Sequence, residues 1–258
     1  MTDSYINNEI YTNPQVYNDI MWWKKDDIKF WTNLIHTTKS KKILELCCGT
    51  GRIGLPLIEL GLNYYGIDSS DSFINFFKKK TDKIQYDSSK IISDDIRNFN
   101  IDESFDLIFI GFNSLAHLLK NQDLLDTLKA IKSHMHSNTI FAIDVFVPDS
   151  SFLYRVHKDK VDIMDFIDSS NNQKLTIFES TDYNSLTEIN RINWDFIGKD
   201  NVFQFNYAFD MRMWFPDTLN RILTDCNYHI QKFYGDYDCN PFNEKSEKQI
   251  YLCKKYIL

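Results

Sequence analysis

Apolar residues recur at helical spacing through residues 1–40, at Tyr17, Ile20, Met21, Trp31, Leu34 and Ile35. After Lys41-Lys42 the pattern becomes short apolar runs, each followed by a helical stretch. Ile43-Leu44-Glu45-Leu46 predicts a strand ending on Cys47-Cys48-Gly49-Thr50-Gly51. Residues 52–60 predict a helix with Pro56 in its first turns and Gly61 at its C-terminal end. Further strands are predicted at 64–68, 91–92, 105–110 and 140–145, with helices through Phe73, Ile74 and Phe77 and over 124–131. This alternation implies βαβ units, right-handed crossovers and a parallel sheet. Near residue 150 the period drops to two: 175–179, 187–196 and 202–213 alternate, separated by Asn184-Ser185 and Gly198-Lys199-Asp200-Asn201. That predicts an antiparallel meander. Residues 216–226 then predict a helix that begins Pro216-Asp217, with closing strands at 230–234 and 249–253.

Composition narrows what such a chain does. At 258 residues, one α/β domain over 1–258 is expected, divided into an N-terminal helical lid (1–40), a core (41–150), the antiparallel insertion (175–213) and a closing helix and strands (216–258). The net charge of −7 argues against nucleic-acid and membrane-surface partners, both of which call for clustered Lys and Arg. The Lys78-Lys79-Lys80 run leans the other way and reads as a solvated helix end. Aromatic residues make up 15% of the chain, which excludes a disordered one. The five cysteines lack paired metal-site spacing, so no metal is expected. Met1-Thr2-Asp3-Ser4 opens polar and acidic, consistent with a reduced, cytoplasmic protein.

Gly49-Thr50-Gly51-Arg52-Ile53-Gly54 is a G-x-G-x-x-G after a strand, with Asp68 closing the next strand. Alone, it fits a dinucleotide fingerprint, in which a helix N-terminus faces a pyrophosphate. Glu45 sits just before the turn, where a carboxylate repels an anion and suits a cation. Asp95 follows the third strand and can accept from an exocyclic amine, with the Ile96 amide beside it. A ligand with a cationic end, a ribose and an adenine is S-adenosylmethionine (SAM).

On these residues the chain resembles the class I SAM-dependent methyltransferases, well over about 41–148 and loosely elsewhere. Glu45-Leu46-Cys47-Cys48-Gly49-Thr50-Gly51 is similar to the family's acid-x-Gly-x-Gly-x-Gly loop, with Cys47 in place of the first glycine. Gly66-Ile67-Asp68-Ser69 resembles its ribose-binding motif, and Asp94-Asp95-Ile96-Arg97-Asn98-Phe99 its adenine-reading motif. The resemblance implies a Rossmann-like α/β fold: a mostly parallel seven-stranded sheet, helices on both faces, and an antiparallel insertion after the fifth strand. It also implies a cofactor site of Tyr17, Glu45, Cys47, Gly49, Gly51, Arg52, Asp68, Ser69, Asp95, Ile96 and Phe112.

Phe112-Asn113-Ser114-Leu115-Ala116-His117-Leu118 looks like the corresponding segment of small-molecule N-methyltransferases, including aminosugar and glycine enzymes. The resemblance implies that His117 stands near the acceptor amine. A histidine titrating near neutrality suits deprotonation of an amine, and packing or capping is its alternative role. Tyr11, Asn113, Arg155 and Arg212 complete the expected acceptor site, the two arginines as anchors for a carboxylate or phosphate unless they form ordinary ion pairs. The aromatics Tyr5, Tyr11, Tyr17, Trp22 and Trp23 exceed what one amphipathic helix needs. Rings can hold a sulfonium by cation–π attraction, and in the resembling enzymes an N-terminal tyrosine-bearing segment lids the cofactor, Tyr17 being the first candidate here.

The expected activity is methyl transfer to a small molecule, at an amine nitrogen. Three alternatives stand beside it: a SAM enzyme with another outcome (cyclisation, or O- or C-methylation), a non-catalytic SAM-fold subunit, and a nicotinamide oxidoreductase.

Overall fold

The computed structural model describes residues 9–21, 23–155 and 160–256; Tyr5 and Trp22 lie outside them. These residues build two compact units, one from 24–147 with 214–256 and the other from the described parts of 1–23 and 148–213.

The first of these holds the seven-stranded sheet, ordered β10-β11-β5-β4-β1-β2-β3. β1 (Lys42–Leu46), β2 (Asn63–Asp68), β3 (Ile91–Ser93), β4 (Phe105–Ile110) and β5 (Met135–Phe146) run parallel. β11 (Lys248–Lys255) pairs antiparallel with β5, and β10 (Tyr228–Tyr234) antiparallel with β11. Strand residues alternate between two cores. Leu44, Leu46, Ile108, Ile110 and Tyr251 join the cluster that buries α5 (Asn121–Ser133) and α7 (Pro216–Asp225). Ile43, Leu107, Phe109 and Ile250 join the one that buries α2 (Asp26–Thr38), α3 (Gly54–Glu59) and α4 (Asp71–Lys83). Burial on both faces explains why these strands read as unbroken apolar runs. The chain reverses its winding between β1 and β4, and ligands of open α/β sheets bind at the carboxyl ends of strands at such a switch point.

The other unit is an antiparallel sheet, β6 (Val161–Asp168), β7 (Gln173–Asn184), β8 (Ile189–Ile197) and β9 (Phe203–Arg212), paired in sequence order. Ile10, Val16 and Ile20 pack on its inner residues Phe166, Leu175, Ile177, Ile192 and Phe209. Val16 and Ile20 belong to α1 (Pro14–Ile20), which starts where Pro14 fits the first helical turn and the Asn13 Oδ1 accepts from the Val16 N–H at 3.2 Å. The short helix α6 (Ser150–Leu153) also belongs here.

The insertion therefore has one strand more than its period-two pattern predicts, and it begins at Val161 instead of 175. A register shift between Asp162 and Met164 breaks the alternation in β6, and Ile163 and Ile167 face outward on this edge strand while Phe166 faces inward. With apolar residues on both faces and a bulge between them, the period is hidden.

Candidate active site

Between Leu46 and Gly54 the chain reverses from β1 into α3. Cys47 (φ 61°), Gly49 (φ 56°) and Gly51 (φ 80°) all take left-handed backbone there. The two glycines do so freely; Cys47 does so against a steric cost of roughly 1–2 kcal/mol. The Cys47 backbone thus shares the left-handed region of the two glycines. A Cβ on Gly51 would stand 2.2 Å from the Phe77 ring, so the loop closes against α4 only without one. Backbone bonds hold the turn: Cys48 N–H to the Ile67 carbonyl (2.9 Å) and Gly51 N–H to the Cys48 carbonyl (3.0 Å).

The predicted acids gather around this loop. Asp68 accepts from the Gly49 N–H and the Ser70 N–H, each at 2.9 Å, and burial raises its carboxyl pKa against those two bonds. Ser69 beside it is exposed. The Asp94 N–H reaches the Asp68 carbonyl at 3.1 Å, which ties the third motif to the second. Burial tends to raise the Asp95 carboxyl, but Arg97 binds it through both its backbone and its guanidinium and holds it below its ordinary value. The Ile96 side chain is buried, and its N–H makes no hydrogen bond among the described residues. Glu45 is 3% exposed. Burial pushes its carboxyl up to about 8, while the Tyr64 hydroxyl, donating to Oε2 at 2.5 Å, opposes that. Burial, then Asp68, Glu45 and Asp95, push the Cys47 thiol well up, so it stays protonated among three carboxyls. That surplus of acids fits a cationic ligand, and the donor set matches SAM: acids for the cation and the ribose, and an open amide for the base.

Arg52 is anchored to neighbouring elements. Its guanidinium grips the fully buried Asp27 of α2 through two bonds (2.8 and 2.6 Å), donates to the Lys24 carbonyl, and lies 4.3 Å from the centre of the Phe112 ring. Lys80 departs from the solvated helix end expected of it: Nζ donates to the Thr50 carbonyl at 3.1 Å, and burial, then Lys83, lower its pKa to about 8.

After β4, Phe112 (φ 52°) and Asn113 (φ 63°) form a second left-handed pair. Asp144 of β5, fully buried, accepts from the Phe112 N–H on Oδ2 (3.1 Å) and from the Asn113 N–H on its main-chain carbonyl (3.1 Å), and the Asn113 Oδ1 accepts from the Phe146 N–H (2.9 Å). Tyr237 donates to Asp144 at 2.5 Å, and Lys248 pairs with it at 3.3 Å. His117 closes the following 3-10 turn, Ser114–His117, half-buried. Asp27, Asp144 and Tyr64 were not among the residues singled out from sequence. A charged residue inside the otherwise apolar Ile143-Asp144-Val145 run is the signal that points to Asp144.

The remaining expected residues belong to the other unit. Tyr11 and Tyr17 pack 6.2 Å apart, ring to ring, against its core. Arg155 pairs with Glu179 at 3.1 Å, and the Trp194 Nε1 holds the other oxygen of that carboxylate at 3.0 Å. Arg212 pairs with Glu188 at 3.0 Å. Each arginine thus has a carboxylate partner within its own unit.

Residues 43–138 match a family model described as a methyltransferase domain. The chain is 24% identical over 251 residues to YqeM of Bacillus subtilis (strain 168), itself a methyltransferase by assignment only, covering 93% of this chain and 94% of that one. In structure it is similar to an S-adenosylmethionine-dependent methyltransferase from Clostridium acetobutylicum ATCC 824 (TM-score 0.76, 18% identity, 93% and 96% of the two chains). It is also similar to the sugar N-methyltransferase KedS8 from Streptoalloteichus sp ATCC 53650 (TM-score 0.71, 12% identity, 93% and 92%). The chain thus carries a methyltransferase domain over residues 43–138, seated on the switch-point loops of a fold that it shares with S-adenosylmethionine-dependent methyltransferases.

Proposed function

We propose that this methyltransferase acts on a small-molecule amine, with His117 as the proton acceptor. The observation that carries the reading is the placement of His117 on the short segment after β4, at the switch point shared with the glycine loop. The likeness to a sugar N-methyltransferase supports nitrogen as the acceptor atom.

In this reading Glu45, Cys47, Gly49, Gly51, Asp68, Ser69, Asp95, Ile96 and Phe112 form the cofactor site. Glu45 faces the cationic end, Asp68 takes ribose hydroxyls, and the Ile96 amide with Asp95 reads the base. Arg52 acts through Asp27, fixing α2 against the loop and supporting the Phe112 ring. Bound SAM supplies a sulfonium whose methyl carbon is open to in-line attack. The protein then has two tasks, alignment and keeping the acceptor nitrogen unprotonated, since an ammonium has no lone pair to attack with. His117 takes the proton that the amine loses, and the rigid Phe112–Asn113 turn sets where His117 stands.

The test is incubation with SAM and a panel of aminosugars and amino acids, with chromatography of the products. Formation of S-adenosylhomocysteine together with a methylated amine is expected. Methylthioadenosine without a methylated product overturns transfer in favour of cyclisation chemistry. His117→Ala is expected to lower kcat about 100-fold with SAM affinity near normal, as loss of a general base does; an unchanged kcat removes His117 from the reaction.

A further inference from the structure

Tyr64 has no part in the cofactor motifs, yet the local structure is built around its hydroxyl. The ring is fully buried on β2, one strand from Glu45, and the hydroxyl donates to Glu45 Oε2 at 2.5 Å. A Cβ on Gly54 would stand 2.4 Å from this hydroxyl, and one on Gly66 3.0 Å. Neither glycine needs positive φ, so both keep their residue type for clearance and not for a turn. Gly54, the last glycine of the G-x-G-x-x-G, thus serves the Tyr64–Glu45 bond. Among the described residues the second Glu45 oxygen, Oε1, accepts no hydrogen bond.

The groups facing this carboxyl come from every element around it. Tyr64 and Asp68 lie on β2, Arg52 and the neutral Cys48 thiol on the loop, and Asp27 on α2, while β4 presents Phe109 in register and brings no charge. Arg52 favours the carboxylate; Asp27 and Asp68 oppose it. The Arg52 charge is itself held by Asp27, so burial prevails and the carboxyl keeps its proton to about pH 8.

We propose that Tyr64 is a positioning residue for cofactor capture: it occupies Glu45 Oε2, turns Oε1 toward the ligand, and makes binding of the cationic cofactor draw a proton from Glu45. The inference rests on reading Glu45 as the acid that meets the cofactor's cation. The step is balanced, since neutral Glu45 and cationic SAM give a carboxylate–cation pair and one proton released to buffer. Tyr64 favours the ionised form by donating to it.

Calorimetry of SAM binding to the full chain, in buffers of different ionisation enthalpy, reads this directly and needs no acceptor. Nearly one proton released per SAM at pH 7 is expected, with affinity rising up to about pH 8 and levelling off above it. Tyr64→Phe is expected to bind SAM about tenfold more weakly at pH 7, as for a one-unit rise in the Glu45 pKa, and to recover by pH 9–10 as its pH midpoint moves up. A merely structural tyrosine would weaken binding equally at every pH, and a Tyr64→Phe profile parallel to wild type overturns the proposal. Glu45→Gln provides a second check should Tyr64→Phe fold poorly: its SAM binding must release no proton. If Glu45→Gln binds and releases protons as wild type does, Glu45 is not the cofactor's acid and the assignment of the site fails. If proton linkage is found but no amine is methylated, the acceptor reading alone fails.

Discussion

Cys47 shows how far a single position can depart from its motif while the backbone does not. Its φ of 61° matches those of Gly49 and Gly51, because the sharp exit from β1 needs left-handed backbone whatever the side chain. Gly51 has no such latitude, with positive φ and a Phe77 ring where a Cβ would go. Gly51→Ala is expected to cost about 2–3 kcal/mol of stability and to abolish SAM binding, read by denaturant unfolding and calorimetry. Arg52 and Asp27 are the second single-residue device. Asp27→Ala leaves a guanidinium without its carboxylate in a largely buried place, with an expected loss of about 3 kcal/mol in the same unfolding experiment. Glu45, Asp68 and Asp95 were legible as candidate site residues because Glu45 and Asp68 lie at the carboxyl ends of β1 and β2 and Asp95 just beyond β3, positions that the short apolar runs specify. Arg52 was legible as part of the loop but not as the partner of Asp27, since 25 residues of chain separate the two and no local pattern relates them.

Among the elements, β4 and β5 work as a pair. The left-handed Phe112–Asn113 turn stays in place because Asp144 of the neighbouring strand accepts from Phe112 and takes Tyr237 and Lys248 on its side chain. Burial, then Asp144, raise the Tyr237 phenol well above its ordinary range, so this hydroxyl remains a donor at any working pH. Asp144→Ala therefore strands a phenol, an ammonium and an amide together. The expected result is a loss of about 3 kcal/mol, seen as a Tm lower by roughly 6–12 °C, along with a lower kcat because His117 follows this turn. Elements buried on both faces were easy to read. β6 was not, because an edge strand with a bulge obeys neither the unbroken apolar run nor the clean alternation.

For the molecule as a whole, the Glu45 carboxyl ties stability to pH. Its carboxyl is raised from 4.5 to about 8 in the fold. A raised acid stabilises the native state fully below its unfolded pKa, and that contribution is lost as pH climbs through the folded pKa. The protein without cofactor is thus expected to lose Tm between pH 4.5 and 8 more steeply than Glu45→Gln does. If SAM pairs with the ionised form as proposed, saturating SAM is expected to raise Tm more at pH 9 than at pH 6. Parallel Tm profiles for wild type and Glu45→Gln would exclude Glu45 as the titrating group.

The residues alone carried the alternation of strands and helices, the glycine turn and the order of three acids at strand ends. These depend on periodicity and on backbone sterics within a few residues, which sequence spacing records. Folding decided which charge meets which. Arg155 and Arg212 found Glu179 and Glu188, Lys80 found the glycine loop, Arg97 found Asp123, and Tyr64 found Glu45. A buried polar group must be paired, but its partner is whatever the packed strands and helices bring within about 3 Å, a distance that spacing along the chain does not encode.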